Sequence, residues 1–78
     1  MPVAHNLAKD FPEFRDTLAQ RVENDSSFSA VVDEYLGLDQ RIRELEELDQ
    51  PANEDALNQL RKERVLVKDR IEAQLRQA

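Results

Sequence analysis

Residues 46–60 read EELDQPANEDALNQL, and this stretch decides how the chain is folded. Before it, leucines and isoleucines recur every three or four residues, and after it they do so again. Pro51 has no backbone N–H and pushes the preceding Gln50 away from helical geometry, so it stops the first of these helices. Asn53 is a candidate N-cap for the next one, with Glu54 and Asp55 in its first turn, where the positive end of the helix dipole favours carboxylates. A connection this short makes neighbouring helices antiparallel.

Upstream of the break, Phe28, Val31, Tyr35, Leu38, Ile42 and Leu45 step by three and four, the spacing of a heptad seam. Downstream, Leu57, Leu60, Arg64, Val67 and Ile71 continue it, with Gln74 or Leu75 completing the end. Reflection about Pro51 sets Leu45 against Leu57, Ile42 against Leu60, Tyr35 against Val67 and Val31 against Ile71. Leu38 then meets Arg64, whose alkyl stem covers apolar surface while its charge reaches outward. The same reflection brings Glu34 near Arg70, Arg41 near Glu63 and Asp39 near Arg61, all of opposite sign. The charge balance of the arms follows: residues 28–50 carry two basic and seven acidic residues, and residues 51–78 carry six and five.

A shorter helix precedes this hairpin. Phe11, Phe14, Leu18 and Val22 form one apolar stripe, with Asp10 as a candidate cap and Pro12 suited to the first turn. The run NDSS ends that helix and starts the next, with Asp25 or Ser26 as the cap. Residues 1–10 hold no sustained pattern and read as a flexible tail. The expected architecture is all-α: a single domain over residues 11–78, with helices at about 11–24, 26–49 and 53–77, the last two forming a long antiparallel hairpin of coiled-coil type.

Composition narrows the function classes. The 78 residues contain no Cys and a single His, His5, so there is no disulfide framework and no thiolate or multi-His metal site within one chain. His5 sits in the expected tail, where nothing holds an acid or base in place. Gly37 is the only Gly, which excludes a glycine-rich phosphate loop. Within its helix, Gly37 is either a tolerated surface residue or a point of close approach. The carboxylates at Asp33, Glu34, Glu44, Glu46 and Glu47 have no calcium-loop pattern around them and read as a solvated face. The sequence therefore predicts a non-enzymatic protein with no cofactor. No apolar run approaches the ~20 residues needed to span a bilayer. The opening MPVAHNLAKDF lacks the basic and apolar regions of a secretory signal, so the expected location is the cytoplasm.

A core is thin at this length, and such chains often gain stability by association. Phe14, Leu18, Val32, Leu36, Val65 and Leu66 lie off the main seam and form the candidate interaction surface. The simplest partner is a second copy in a symmetric dimer; an unidentified protein partner is the other choice. The first helix can cover some of these residues, with Leu18 near Val32 and Phe14 near Leu36. The alternative function uses Arg61, Lys62, Arg64 and Lys68 as phosphate contacts in an RNA- or ribosome-associated protein. Against it stand the net charge of −6, the interruptions at Glu63 and Asp69, and the absence of interleaved aromatics for base stacking. The polar face is not uniformly basic, which also disfavours a membrane surface.

The segment Phe11-Pro12-Glu13-Phe14-Arg15-Asp16, followed by Phe28, Leu38-Asp39, Ile42 and Val67-Lys68-Asp69 with Ile71, resembles the YdcH-like family of small bacterial proteins. The likeness covers roughly residues 11–75, and members often have His at the position of Tyr35. The family's function is uncharacterised. The resemblance therefore implies a helical-hairpin protein and assigns no activity, cofactor or catalytic residue.

Overall fold

The computed structural model describes Leu7 and residues 9–77. Among the described residues there is no strand; most lie in three α-helices, α1 (Arg15–Asn24), α2 (Ser26–Leu48) and α3 (Glu54–Arg76), and Leu7, Lys9 and Asp10 are helical as well. Short 3-10 turns at Pro12–Phe14 and Pro51–Asn53 lead into α1 and α3. The molecule measures 41 × 21 × 21 Å, the shape of two helices of about 35 Å lying side by side at 1.5 Å rise per residue.

Each helix boundary has a local cause. Pro12 opens its turn as expected, but Asp10 does not cap it. Asp10 is itself helical, Phe11 occupies the cap position, and no side chain caps either the turn or α1. The α1–α2 junction is a true cap. Asp25 is extended, and its Oδ1 accepts hydrogen bonds from the N–H groups of Ser27 and Phe28, both at 3.1 Å. The Phe28 N–H and then Arg21 hold the Asp25 carboxyl below its ordinary pKa. At the other end of α2, Asp49 takes the left-handed conformation at φ 51° and ψ 46°, a geometry Asp tolerates better than most residues. Gln50 is then extended at φ −102° and ψ 125°, as its position before Pro51 requires. Asn53 makes no side-chain cap for α3. Its backbone N–H instead donates to the Gln50 carbonyl at 2.9 Å, so the Pro51–Asn53 turn runs straight into the helix.

Cross-pairs fix how α2 lies on α3. From Glu46 to Asp39 to Glu34 along α2, the partners on α3 are Arg61 at 2.9 Å, Arg64 at 2.8 Å and Arg70 at 3.8 Å. Glu34 meets Arg70 as the charge pattern predicts. Asp39 meets Arg64 rather than Arg61, about one turn further along α3, and Arg61 turns to Glu46. No ion pair joins Arg41 and Glu63. The physical reason is the length of the reversal, in which Asp49 through Asn53 all take part rather than Pro51 alone.

The main core lies at the end away from this turn. Leu7, Phe11, Leu18, Phe28, Val32, Tyr35, Val67, Ile71 and Leu75 form one buried cluster. Ile42 and Leu57 are buried nearer the turn. The segment 1–10 is not wholly outside the fold: Leu7 is fully buried, and Lys9 and Asp10 are helical. The reason is spacing, since Leu7 stands four residues before Phe11 and extends the same stripe by one turn. His5 lies outside the described residues.

Gly37 sits mid-helix in α2, and a Cβ built there meets nothing within 4 Å. It is therefore an open surface position rather than a close approach. Gly37→Ala is expected to stabilise the protein by about 1 kcal/mol, the helix-propensity difference. At this size that raises Tm by about 4–8 °C, read from a circular dichroism melt. A lower Tm would mean that something packs against Gly37 after all.

Candidate interaction surface

The seam residues divide by depth. Phe28, Tyr35, Ile42, Leu57, Val67 and Ile71 are buried, while Val31, Leu38, Leu45 and Leu60 are half-buried. The off-seam residues divide more sharply. Leu18 and Val32 are fully buried in the main cluster, and Phe14 and Leu36 pack against it half-buried. Leu18 and Val32 therefore belong to the core and are not available as surface, because α1 folds back onto α2. Only Val65 and Leu66 remain open, at 57% and 63% exposure. Leu48, beside the turn, is the other exposed large apolar residue among those described.

Arg21 holds α1 against the far end of α3. Its Nη1 donates to the Gln74 carbonyl at 2.6 Å, its Nη2 donates to Asp25 at 3.2 Å, and its guanidinium lies 5.0 Å from the Phe28 ring centre. A cation is favourable there because the last turn of a helix leaves carbonyls without intrahelical partners. Two more cations cover aromatic faces: Lys68 over Phe11 at 5.7 Å and Arg76 over Phe14 at 5.4 Å. Helical periodicity alone does not reveal these links, because they join residues from different helices.

The basic positions on α3 are largely neutralised within the chain. Arg61 pairs with Glu46, Arg64 with Asp39, and Lys68 with Asp10 at 3.6 Å. Lys62 is exposed and makes no ion pair among the described residues. Four cations converging on one phosphate track are therefore not what α3 presents.

Asp39 joins two arginines, Arg43 on its own helix and Arg64 on α3. Burial pushes its pKa up, but hydrogen bonds from Arg43 and Arg64 outweigh that and hold it below the ordinary carboxylate value. Its ionised form is favoured by folding, so its contribution is present at neutral pH and is lost as pH falls below the ordinary carboxylate range through the folded value. Asp39→Asn is expected to lower stability at pH 7 by about 1 kcal/mol, a charged hydrogen bond discounted for partial exposure. The gap between the two proteins should close in acid, which thermal melts at stepped pH would read. A gap that stays constant down to pH 2 would remove this role. Tyr35 shifts the other way: burial, then the charges of Asp10 and Asp39, push its phenol above the usual value. It remains a neutral core residue.

Two open hollows lie on α2 and α3. One, of about 400 Å³, sits at the turn among Leu45, Asp49, Pro51, Leu57 and Arg61. The other, of about 270 Å³, is lined by Leu38, Leu66 and Val67 together with Glu34, Glu63 and Arg70. Among the described residues, no three metal-ligating side chains converge, and no helix is long and apolar enough to cross a membrane.

A family described as "Protein of unknown function (DUF465)" matches residues 28–75, more than half of the chain. The chain is a member of this YdcH-like family. The matched span begins at Phe28, the first buried residue of α2, and ends at Leu75, the last buried residue of α3. The matched span thus takes in α2 from Phe28, the turn, and α3 as far as Leu75. The Phe11–Asp16 motif and α1 lie before the matched span. No curated protein and no solved structure matches the chain.

Proposed function

We propose that this YdcH-like protein is a non-enzymatic protein-interaction module of the bacterial cytoplasm, an antiparallel helical hairpin of coiled-coil type that self-associates as a dimer and serves as a small adaptor or regulator. The observation that carries this reading is the adjacent pair Val65 and Leu66, 57% and 63% exposed on the outer side of α3. Apart from Ala73 that side is otherwise polar, so two neighbouring branched apolar residues there are a local patch suited to another chain. The ordered cross-pairs from Glu46–Arg61 to Glu34–Arg70 support the antiparallel hairpin. An RNA-associated role is weaker, because Arg61, Arg64 and Lys68 already face carboxylates and the remaining charge of the chain is acidic.

The test is molar mass by light scattering on an eluting column, from micromolar to near-millimolar protein. The expected result is a concentration-dependent rise to twice the 9.1 kDa chain mass. A constant 9.1 kDa with full helicity across that range would remove self-association.

A further inference from the structure

The outer side of α3 carries a charge pattern that, among the described residues, only Arg76 engages, through Glu72 and the Phe14 ring. Asp55, Lys62, Asp69 and Arg76 recur every seventh residue, so they stand in one line along the helix, about 20° apart per heptad. All four are exposed. Asn58, Gln59, Val65, Leu66 and Ala73 flank that line and are exposed as well. The signs read minus, plus, minus, plus, and Val65 and Leu66 sit between the central Lys62 and Asp69.

Such a row is complementary to its own reverse. We infer that the outer face of α3 pairs antiparallel with the same face of a second copy, with the two-fold axis between Val65 and Leu66. This placement rests on the self-association proposed above. Across the axis Val65 and Leu66 of one copy pack on the same pair of the second, Lys62 meets Asp69, and Asp55 meets Arg76, each charged contact occurring twice by symmetry. Asn58 falls opposite Ala73, where Asp69, Glu72, Ala73 and Arg76 line a shallow hollow of about 300 Å³.

Charge selects this arrangement over its neighbours. A parallel, in-register pair sets each of the four charges against its own kind. Sliding the antiparallel pair by one heptad in one direction puts Asp55 against Asp69 and Lys62 against Lys62. Sliding it in the other puts Lys62 against Arg76 and Asp69 against Asp69. Like charges facing each other across a helix pair oppose association and set register. The intramolecular pairs agree with the placement. Lys62, Asp55 and Asp69 make no ion pair among the described residues, and Arg76 makes only an i,i+4 pair with Glu72 while lying over Phe14. Arg61 and Arg70, which flank the line on the α2 side, are neutralised by Glu46 and Glu34.

The chain has no Cys, so single introduced thiols report register directly. In this dimer the two copies of residue 58 lie about 22 Å apart along the axis at 1.5 Å rise per residue, while residue 58 of one copy is across from residue 73 of the other. Helix axes pack at about 8–10 Å, within reach of a short thiol-to-thiol crosslinker. Asn58→Cys alone and Ala73→Cys alone should give little crosslinked dimer, and their equimolar mixture should give it readily. In parallel, Lys62→Asp and Asp69→Lys should each raise the dimer Kd by about tenfold, since symmetry applies each reversal twice, and the double swap should restore it. These positions are exposed, and circular dichroism verifies that each variant is folded. A wild-type protein that is monomeric throughout would overturn self-association and this interface with it. A wild-type dimer with no crosslink in the mixture and no response to charge reversal would overturn only the interface, leaving self-association through another face.

Discussion

Phe28→Ala is expected to remove about 3–5 kcal/mol, the range for truncating a fully buried Phe. A chain of this length holds roughly 4–12 kcal/mol in total, so the variant should be partly unfolded at room temperature. Phe28 has no exposed surface and belongs to the main cluster. It stands in the first turn of α2, and its N–H is one of the two that Asp25 caps. Arg21 lies over its ring at 5.0 Å and also binds Gln74 of α3, so the aromatic face sits where all three helices meet. Truncation therefore opens a cavity and loosens the Arg21 link together. Urea unfolding followed by circular dichroism reads the loss, with Leu66→Ala as the comparison. Leu66 is 63% exposed, and its truncation in the monomer should change stability by no more than about 0.5 kcal/mol. A loss below 1 kcal/mol for Phe28→Ala would mean that the cluster does not enclose the ring.

Different parts of this architecture were legible in the sequence to different degrees, and the reason is range. The three helices follow from three-four spacing, which each segment carries by itself. Asp25 could be read as a cap because its partners, Ser27 and Phe28, are two and three residues away. The cross-pairs were legible in sign but not in register. Glu34 finds Arg70, yet Asp39 finds Arg64 and Arg61 finds Glu46, because the register depends on how many residues the turn absorbs. Asp49 enters the left-handed region and Pro51–Asn53 forms a 3-10 turn, a geometry that the Pro alone does not specify. The division of the off-seam residues was least legible. Val32 and Val65 look alike in periodicity, yet the first is fully buried in the main cluster and the second is 57% exposed. Arg21 illustrates the same limit, since its bond to the Gln74 carbonyl spans 53 residues.

Leu7→Ala is expected to cost about 2–5 kcal/mol, as for other buried leucines, although Leu7 falls in a segment whose composition reads as a tail. Leu7 is fully buried, its carbonyl accepts from the Phe11 N–H at 2.9 Å, and Phe11 is buried beside it. Lys68 of α3 fastens the same segment, reaching Asp10 at 3.6 Å and the Phe11 ring at 5.7 Å. That exposed ion pair contributes little by itself, so the anchoring depends mainly on the two apolar side chains. The family match begins at Phe28, which makes the segment around Leu7 and Phe11 a cover over one end of the α2–α3 unit rather than part of it. Truncating Leu7 should therefore act locally. Amide hydrogen exchange should accelerate in α1 and around Phe28, Ile71 and Leu75. Protection near Ile42 and Leu57, at the turn end, should follow only the global loss of stability. An unchanged urea midpoint would place Leu7 outside the core. A uniform acceleration through both long helices would instead mean that the cover and the α2–α3 unit unfold together.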